Sequence, residues 1–331
     1  LHARGKLSVV ILGYGNKYYD EARHPRSAYA TEGFKRYAAF VSQQLKGLEV
    51  IYEVWNEWNS AIGVTENVAG SPLEYFNLIS VVAPAIREID PSATVISTGL
   101  AGGVDAPTIP WLRQFVDLGG DRYVDGYAIH TYIWNRPSWT VERLMIFFKS
   151  LLDEESVFGN SLRAKGFYVT EIGFPSRDAI GRDQELSAGI SLAKAEVGLS
   201  SVNGIKGVWV YRLKDQEQTS DEIGSSYGII SYSNRQKFGY LAIMHIASLQ
   251  NRCGTPVRES KYATFEVFTY TCSERKSRIV WVPNGAGQSD VQPSPLDSMK
   301  VYRDLISDQP YVSRKDAEKA LSDGAIVVCE D

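Results

Sequence analysis

The chain has 331 residues, 44% of them hydrophobic and 22% charged, and a net charge of −4. That composition excludes a disordered or fibrous protein, and it offers no basic run to hold nucleic acid or an acidic membrane surface. It is long enough to bury one large core and to carry a small appendage.

The opening Leu1-His2-Ala3-Arg4-Gly5-Lys6 lacks the apolar run of a signal peptide, and no stretch approaches the roughly 18 apolar residues of a membrane span. A first strand is predicted near residues 7–12. The helix after it carries Phe34, Tyr37, Ala38, Val41 and Leu45 at helical spacing, as one buried stripe. A second strand is predicted near 50–54, followed by a helix that starts at Ser71-Pro72, an N-cap with proline in the first turn. Its stripe is Tyr75, Ile79, Val82, Ile86 and Ile89, and Asp90-Pro91 stops it. Further strands are predicted near 94–98, 124–129, 166–170 and 206–211. Between and after them run helices with Leu144, Phe148 and Leu151, then Ile190, Ala193 and Val197, and one over 237–249. Strand and helix alternate in this way over about 250 residues, the pattern of parallel strands with helices outside. From there the texture changes to alternating runs at 262–268 and 277–282, with shorter ones at 299–302 and 325–328, and a loop from Pro283 to Pro295. This predicts a small antiparallel β unit.

Cys253, Cys272 and Cys329 fall late in the chain with no C-x-x-C pair and no histidine at ligand spacing, which predicts no zinc site. Cys253 and Cys272 either pair, in an exported protein, or stay free thiols in the β unit.

Two strands end in carboxylates. Tyr52-Glu53-Val54-Trp55-Asn56-Glu57-Trp58-Asn59 closes the second strand, and Tyr168-Val169-Thr170-Glu171-Ile172-Gly173 closes the fifth. Either glutamate alone reads most plainly as a helix cap or an arginine partner. Both together, at the carboxyl ends of strands separated by two strand and helix units, form the pair needed to cleave a glycosidic bond.

Trp55-Asn56-Glu57, Thr170-Glu171-Ile172-Gly173, His130-Thr131-Tyr132 and Trp209-Val210-Tyr211, in that combination, resemble the retaining glycoside hydrolases of clan A. The nearest resemblance is to family 39, the β-xylosidases and α-L-iduronidases, and to related bacterial exopolysaccharide-degrading enzymes. It spans residues 7–250, and the trailing β unit resembles the β-sandwich beside such barrels. The resemblance implies a (β/α)8 TIM-type barrel domain over residues 1–252 and a small β domain over 253–331. In the family the Asn-Glu pair ends the fourth barrel strand and the second glutamate ends the seventh. Here a single strand precedes Glu57, so the first two β/α units are missing from the count. The chain is then an N-terminally truncated barrel, or else a six-unit sheet with open edges.

By the same resemblance Glu57 is the acid/base, protonated before attack, and Glu171 the ionised nucleophile. Asn56 donates to the sugar 2-hydroxyl. His130 and Tyr132 stand beside the nucleophile, the rival reading of His130 being a satisfied core histidine. Trp209 and Tyr211 end the last strand, where a tryptophan forms a sugar platform or simply fills the core. Tyr14, Asn16 and Trp55 are further substrate-binding candidates, with Trp58, Asn59, Trp134 and Trp139 on the same rim; aromatic residues also fill ordinary cores. Asp215 reads as a solvated loop acid, the alternatives being an acid that orients its loop or contacts substrate.

There is no G-x-S-x-G elbow, Walker loop or H-E-x-x-H, and Gly13-Tyr14-Gly15-Asn16 lacks the third glycine of a dinucleotide fingerprint. No cofactor and no metal are expected. The substrate implied is an oligo- or polysaccharide, and the resemblance implies a secreted or periplasmic protein; the sugar, exo or endo action and the oligomeric state stay open. The competing class is a non-catalytic carbohydrate-binding protein on a degenerate barrel, and transglycosylation is a variant of the enzymatic reading.

Overall fold

Ser8–Leu12 (β1), Val50–Val54 (β2), Thr94–Ile96 (β3), Tyr127–His130 (β4), Phe167–Ile172 (β5) and Ile205–Val210 (β6) are the strands that the apolar runs predicted. The computed structural model describes residues 7–103, 107–136, 138–153, 161–176, 182–216, 223–260, 262, 264–273, 275–283, 294–297 and 299–331. Two compact units divide the chain: residues 1–132, 150–171 and 204–209 form one, and 133–149, 172–203 and 210–331 the other.

In the first unit the strands follow one another in chain order. β1 pairs in parallel with β2 and β2 with β3, while β4 pairs in parallel with β5, which is also flanked by β6. Backbone bonds join β3 to β4, from Ser97 N–H to Gly126 O (3.1 Å) and from His130 N–H to Leu100 O (2.9 Å). β3 stops two residues short of the prediction because the Thr98 N–H leaves the ladder for the Tyr75 hydroxyl at 2.7 Å. β5 runs on past 170, which puts Glu171 inside the strand.

The helix Ala28–Leu45 (α1) buries Ala30, Phe34, Ala38 and Ser42. Tyr37, predicted in the stripe, is 40% exposed, since it lies one position round the helix from Ala38. Pro72–Ile89 (α2) begins as predicted: Ser71 and Glu74 form a reciprocal capping box with proline in the first turn. Its Tyr75, Ile79, Val82 and Ile86 are buried. The helix Thr108–Asp117 (α3) adds Leu112 and Phe115 to the core.

In the second unit the helices Arg182–Ser200 and Phe238–Cys253 pack together, and five strands form one antiparallel sheet. These are Val257–Arg258 (β7), Glu266–Thr271 (β8), Lys276–Trp281 (β9), Val301–Asp304 (β10) and Val327–Glu330 (β11), in the order β10-β11-β9-β8-β7. One face covers Ala317 and Leu321 of a helix over Arg314–Ser322 that the sequence reading missed, with Val267, Val280 and Cys329 in the shared core. On the opposite side Phe268 stacks on Trp281, whose Nε1–H reaches Glu142 at 3.0 Å. Most of the predicted loop from Pro283 to Pro295 lies outside the described residues.

Cys253 and Cys272 are disulfide-bonded, 19 residues apart in sequence, and Cys329 is a buried free thiol. Closing a loop of that length restricts the unfolded chain, so Cys253→Ser is expected to remove about 3 kcal/mol of stability. Urea unfolding of parent and variant, with and without reductant, checks this: reductant should bring the parent down to the variant. Among the described residues no helix is long and apolar enough to cross a membrane.

Candidate active site

The site is built on β2, β4 and β5 of the first unit. All five residues of β2 are buried, Glu53 among them at zero exposure. A carboxylate in such a position is expensive unless it is bonded. Glu53 Oε1 accepts the Gly99 N–H at 2.9 Å and faces His130 Nε2 at 3.8 Å, while its Oε2 meets no hydrogen-bond donor among the described residues.

Just beyond β2 the chain turns sharply. Trp55 and Glu57 both take left-handed backbone angles, φ 72° and φ 50°, which costs roughly 1–2 kcal/mol for each non-glycine residue. Trp55 N–H is tied to Leu12 O at 2.7 Å and Glu57 N–H to Gly99 O at 3.0 Å. The Trp55 ring is wedged among His24, Phe34 and Trp58, with centroids 5.3 to 5.6 Å away. This packing holds the strained turn, and between its two left-handed residues lies Asn56, whose buried Oδ1 meets no partner among the described residues.

Between Ile129 and His130 the β4–β5 register shifts, Val169 pairing with Ile129 and Glu171 with His130, so β5 bulges at Thr170 and sets Glu171 opposite His130. His130 Nδ1 is 2.8 Å from Glu57 Oε1 and 3.5 Å from Glu171 Oε2. The Tyr132 hydroxyl donates to Glu171 Oε2 at 2.5 Å. Burial on its own would depress the His130 pKa, but the facing Glu53 carboxylate, the hydrogen bond with Glu57 and the Glu171 charge win, pushing it up to about 10. The surrounding carboxylates thus favour the imidazolium form of the ring. Glu171 is raised, first by burial and further by the charges of Glu57 and Glu53, against the pull of His130 and Tyr132. One ligand atom each of Glu57, His130 and Glu171 lie within 4.8 Å of one another, close enough to share a cation. While its ring is protonated, His130 can donate to the acids that face it.

Of the predicted site residues, Glu57, Glu171, His130 and Tyr132 come together, with Asn56 adjoining Glu57 in the turn. The others stand elsewhere. Trp55 and Trp58 are fully buried, and Trp58 Nε1–H is spent on Ser71 O at 3.1 Å, so both are supports of the turn. Asn59 clamps Ala101 through both its amide atoms, at 2.8 and 3.0 Å. Tyr14 is half exposed and meets Trp55 edge-on at 6.4 Å. Asn16 organises a turn, its Oδ1 accepting the Tyr18 N–H at 3.0 Å. Trp209 stacks on Tyr168 and packs against the Ile51, Ile96 and Ala128 core, which is the core-filling alternative for that residue.

In the second unit Tyr211 sits edge-on to Tyr227 and accepts from Arg212. Trp134 and Trp139 line a cavity of about 980 Å3 together with Phe174, Glu142 and Lys194. Asp215 is no solvated acid: it is paired with the buried Lys237 at 2.6 Å and accepts the Gly228 N–H.

Sequence reasoning passed over Glu53 and Gly99. The signal for Glu53 was present, as a lone charge inside an apolar strand flanked on both sides by other strands. Gly99 needs the folded chain to be understood, because a β-carbon there would lie 2.1 Å from His130 Nε2 and 2.5 Å from Glu53 Oε1.

No protein-family model matches the chain, and no curated protein matches it. Solved structures do. A family 39 glycoside hydrolase from Bacteroides cellulosilyticus is 18% identical with a TM-score of 0.69, over 99% of this chain and 68% of its own. A monomeric β-xylosidase from Caulobacter crescentus is 14% identical with a TM-score of 0.60, over 97% of this chain and 80% of its own. A family 39 β-xylosidase from the same organism is 17% identical with a TM-score of 0.57, over 93% and 73%. The chain thus has an α/β fold similar to that of family 39 glycoside hydrolases.

Proposed function

We propose that the protein is a retaining glycoside hydrolase that cleaves β-linked oligo- or polysaccharides by double displacement. The observation that carries this reading is the pair Glu57 and Glu171, with carboxylate oxygens within 4.8 Å of each other and His130 between them. Retaining enzymes hold their two carboxyls about 5 to 5.5 Å apart, whereas inverting enzymes need roughly 6.5 to 9.5 Å to admit a water.

In the first step a Glu171 oxygen bonds to the anomeric carbon as the bond to the leaving oxygen breaks, and Glu57 passes its proton to that oxygen. In the second, Glu57 takes a proton from water, whose oxygen bonds to the same carbon as the Glu171 ester breaks. Asn56, whose Oδ1 meets no partner among the described residues, would donate through its amide N–H to the sugar 2-hydroxyl, an interaction that strengthens in the oxocarbenium-like transition state. In this reading β1 to β6 occupy the third to eighth positions of a (β/α)8 barrel over residues 1–252, with residues 253–331 as a separate β domain. The Cys253–Cys272 disulfide supports an oxidising compartment, outside the cytosol.

The test is reducing-sugar release from a panel of β-linked polysaccharides and aryl glycosides by the parent and by Glu171→Gln. Release by the parent alone, with binding kept in the variant, is the expected result. Binding without turnover by either protein would replace the enzyme with a carbohydrate-binding protein.

Tyr132 supplies a sharper prediction. Its hydroxyl favours the ionised form of Glu171, so Tyr132→Phe is expected to raise the Glu171 pKa further. The nucleophile must be ionised, and activity is lost as pH falls through its pKa. The acid limb of the kcat/KM profile should therefore move to higher pH, with a loss of about tenfold at pH 5 and less at pH 7.5.

A further inference from the structure

The mechanism above uses Glu57 and Glu171 and leaves a third buried carboxylate unexplained. Glu53 has no exposure, one oxygen without a donor among the described residues, and His130 Nε2 at 3.8 Å. His130 is thus faced by a glutamate at each ring nitrogen: Glu53 at Nε2, and Glu57 at Nδ1 at 2.8 Å with Glu171 at 3.5 Å. Gly99 is the device that permits this. Its N–H fixes Glu53 Oε1, and any side chain at 99 would fill the space where the acid and the ring meet.

The charge state of the ring decides where the proton of Glu57 can sit. If Nδ1 carried a lone pair, it would draw that proton onto Glu57 Oε1, towards the ring and away from any leaving group. If Nδ1 carries hydrogen, Oε1 is occupied as an acceptor and the acidic proton is left to Oε2. A neutral histidine holding hydrogen on Nε2 for Glu53 would expose the lone pair at Nδ1. With Glu53 ionised and facing Nε2–H, keeping hydrogen on Nδ1 as well means a doubly protonated ring, whose charge is met by Glu53 on one side and Glu171 on the other.

We propose that Glu53 is a positioning residue for the catalytic pair: its carboxylate holds His130 doubly protonated, which commits Nδ1–H to Glu57 Oε1 and directs the transferable proton of Glu57 to Oε2. This deepens the glycosidase reading and rests on it for its catalytic consequence. The groups that face His130 and Glu53 are Glu57 beyond β2, Glu171 on β5, Tyr132 beyond β4 through its bond to Glu171, and Tyr75 on α2, whose hydroxyl lies within the electrostatic reach of Glu53.

The experiment compares the parent with Glu53→Gln, which keeps the volume of the side chain and an oxygen for the Gly99 N–H. Nitrogen-15 NMR of the imidazole reads the protonation of His130 directly and needs no substrate. In the parent the ring is expected to be doubly protonated at pH 8; in Glu53→Gln it should lose a proton at least one pH unit earlier than in the parent. With aryl glycosides, Glu53→Gln should lower kcat at least tenfold for a poor leaving group, which needs the acid, and less than threefold in the formation of the glycosyl-enzyme from a dinitrophenyl glycoside, which does not. KM should stay within threefold.

A His130 that is neutral at pH 8 in the parent, or that titrates alike in both proteins, would overturn the proposal, as would equal losses with the two leaving groups. The parent measurement alone stands even if Glu53→Gln fails to fold. If the parent hydrolyses nothing while the ring behaves as stated, the glycosidase reading fails and the pairing of Glu53 with His130 survives without its catalytic consequence.

Discussion

Glu171→Ala is expected to lower kcat by more than about 10^4-fold, and Glu57→Ala by about 10^2- to 10^4-fold for substrates with poor leaving groups. Added azide should separate the two. Removing the Glu171 side chain opens a space on the face of the sugar opposite the leaving group, and azide attacking there gives a glycosyl azide of inverted configuration. Removing Glu57 leaves the nucleophile in place. With an activated aryl glycoside the glycosyl-enzyme still forms, and azide then displaces Glu171 from the other face, giving net retention. NMR of the two azide products tells whether the roles have been assigned the right way round. The same anomer from both variants would contradict double displacement, and exchanged anomers would exchange the roles.

The two glutamates were legible in the sequence because each follows a run of β-branched and apolar residues, which marks a strand end without reference to the rest of the fold. His130 and Tyr132 were legible for a related reason, an alternation at the end of β4. What places His130 against both acids was not. That depends on the bulge at Thr170 and on the left-handed backbone of Trp55 and Glu57, neither of which has a residue signature here, since no glycine stands at these positions. Packing that spans the chain decides them. For the aromatic candidates the sequence leaves a sugar face and a core position both open. Trp55 and Trp209 have side chains equally suited to a sugar face or a core, and burial is set by neighbours such as Phe34 and Ile96 that are distant in sequence. The polar helix Arg314–Ser322 was hidden by its composition, although Ser313 and Asp316 form a local start signal at the usual spacing.

The strained turn, the bulge and several of the orphaned polar atoms fall on neighbouring residues. Asn56 Oδ1, Glu53 Oε2 and His130 Nε2 are all buried without a hydrogen-bond partner among the described residues. Each is a cost to the folded chain, and costs concentrated at one place are the mark of a site shaped for chemistry rather than for stability. The setting of His130 among three glutamates supports the proposed role over that of a satisfied core histidine.

That arrangement makes the stability of the protein depend on pH in a direction opposite to that of an ordinary paired carboxylate. The His130 pKa is about 10 in the folded chain, against roughly 6.5 when unfolded. A cationic group whose pKa is raised by folding contributes in full below its unfolded value and loses that contribution as pH rises through the folded one. The loss should therefore run from about pH 6.5 to about pH 10, on the order of a few kcal/mol in all. The check is urea unfolding of the parent and of His130→Asn at pH 6 and at pH 9.5. The parent is expected to lose several-fold more stability than the variant between these two values, because the variant has no ring to deprotonate. Equal losses would mean that folding does not raise the His130 pKa above its unfolded value of roughly 6.5, so that the doubly protonated ring proposed to orient Glu57 is not held at neutral pH.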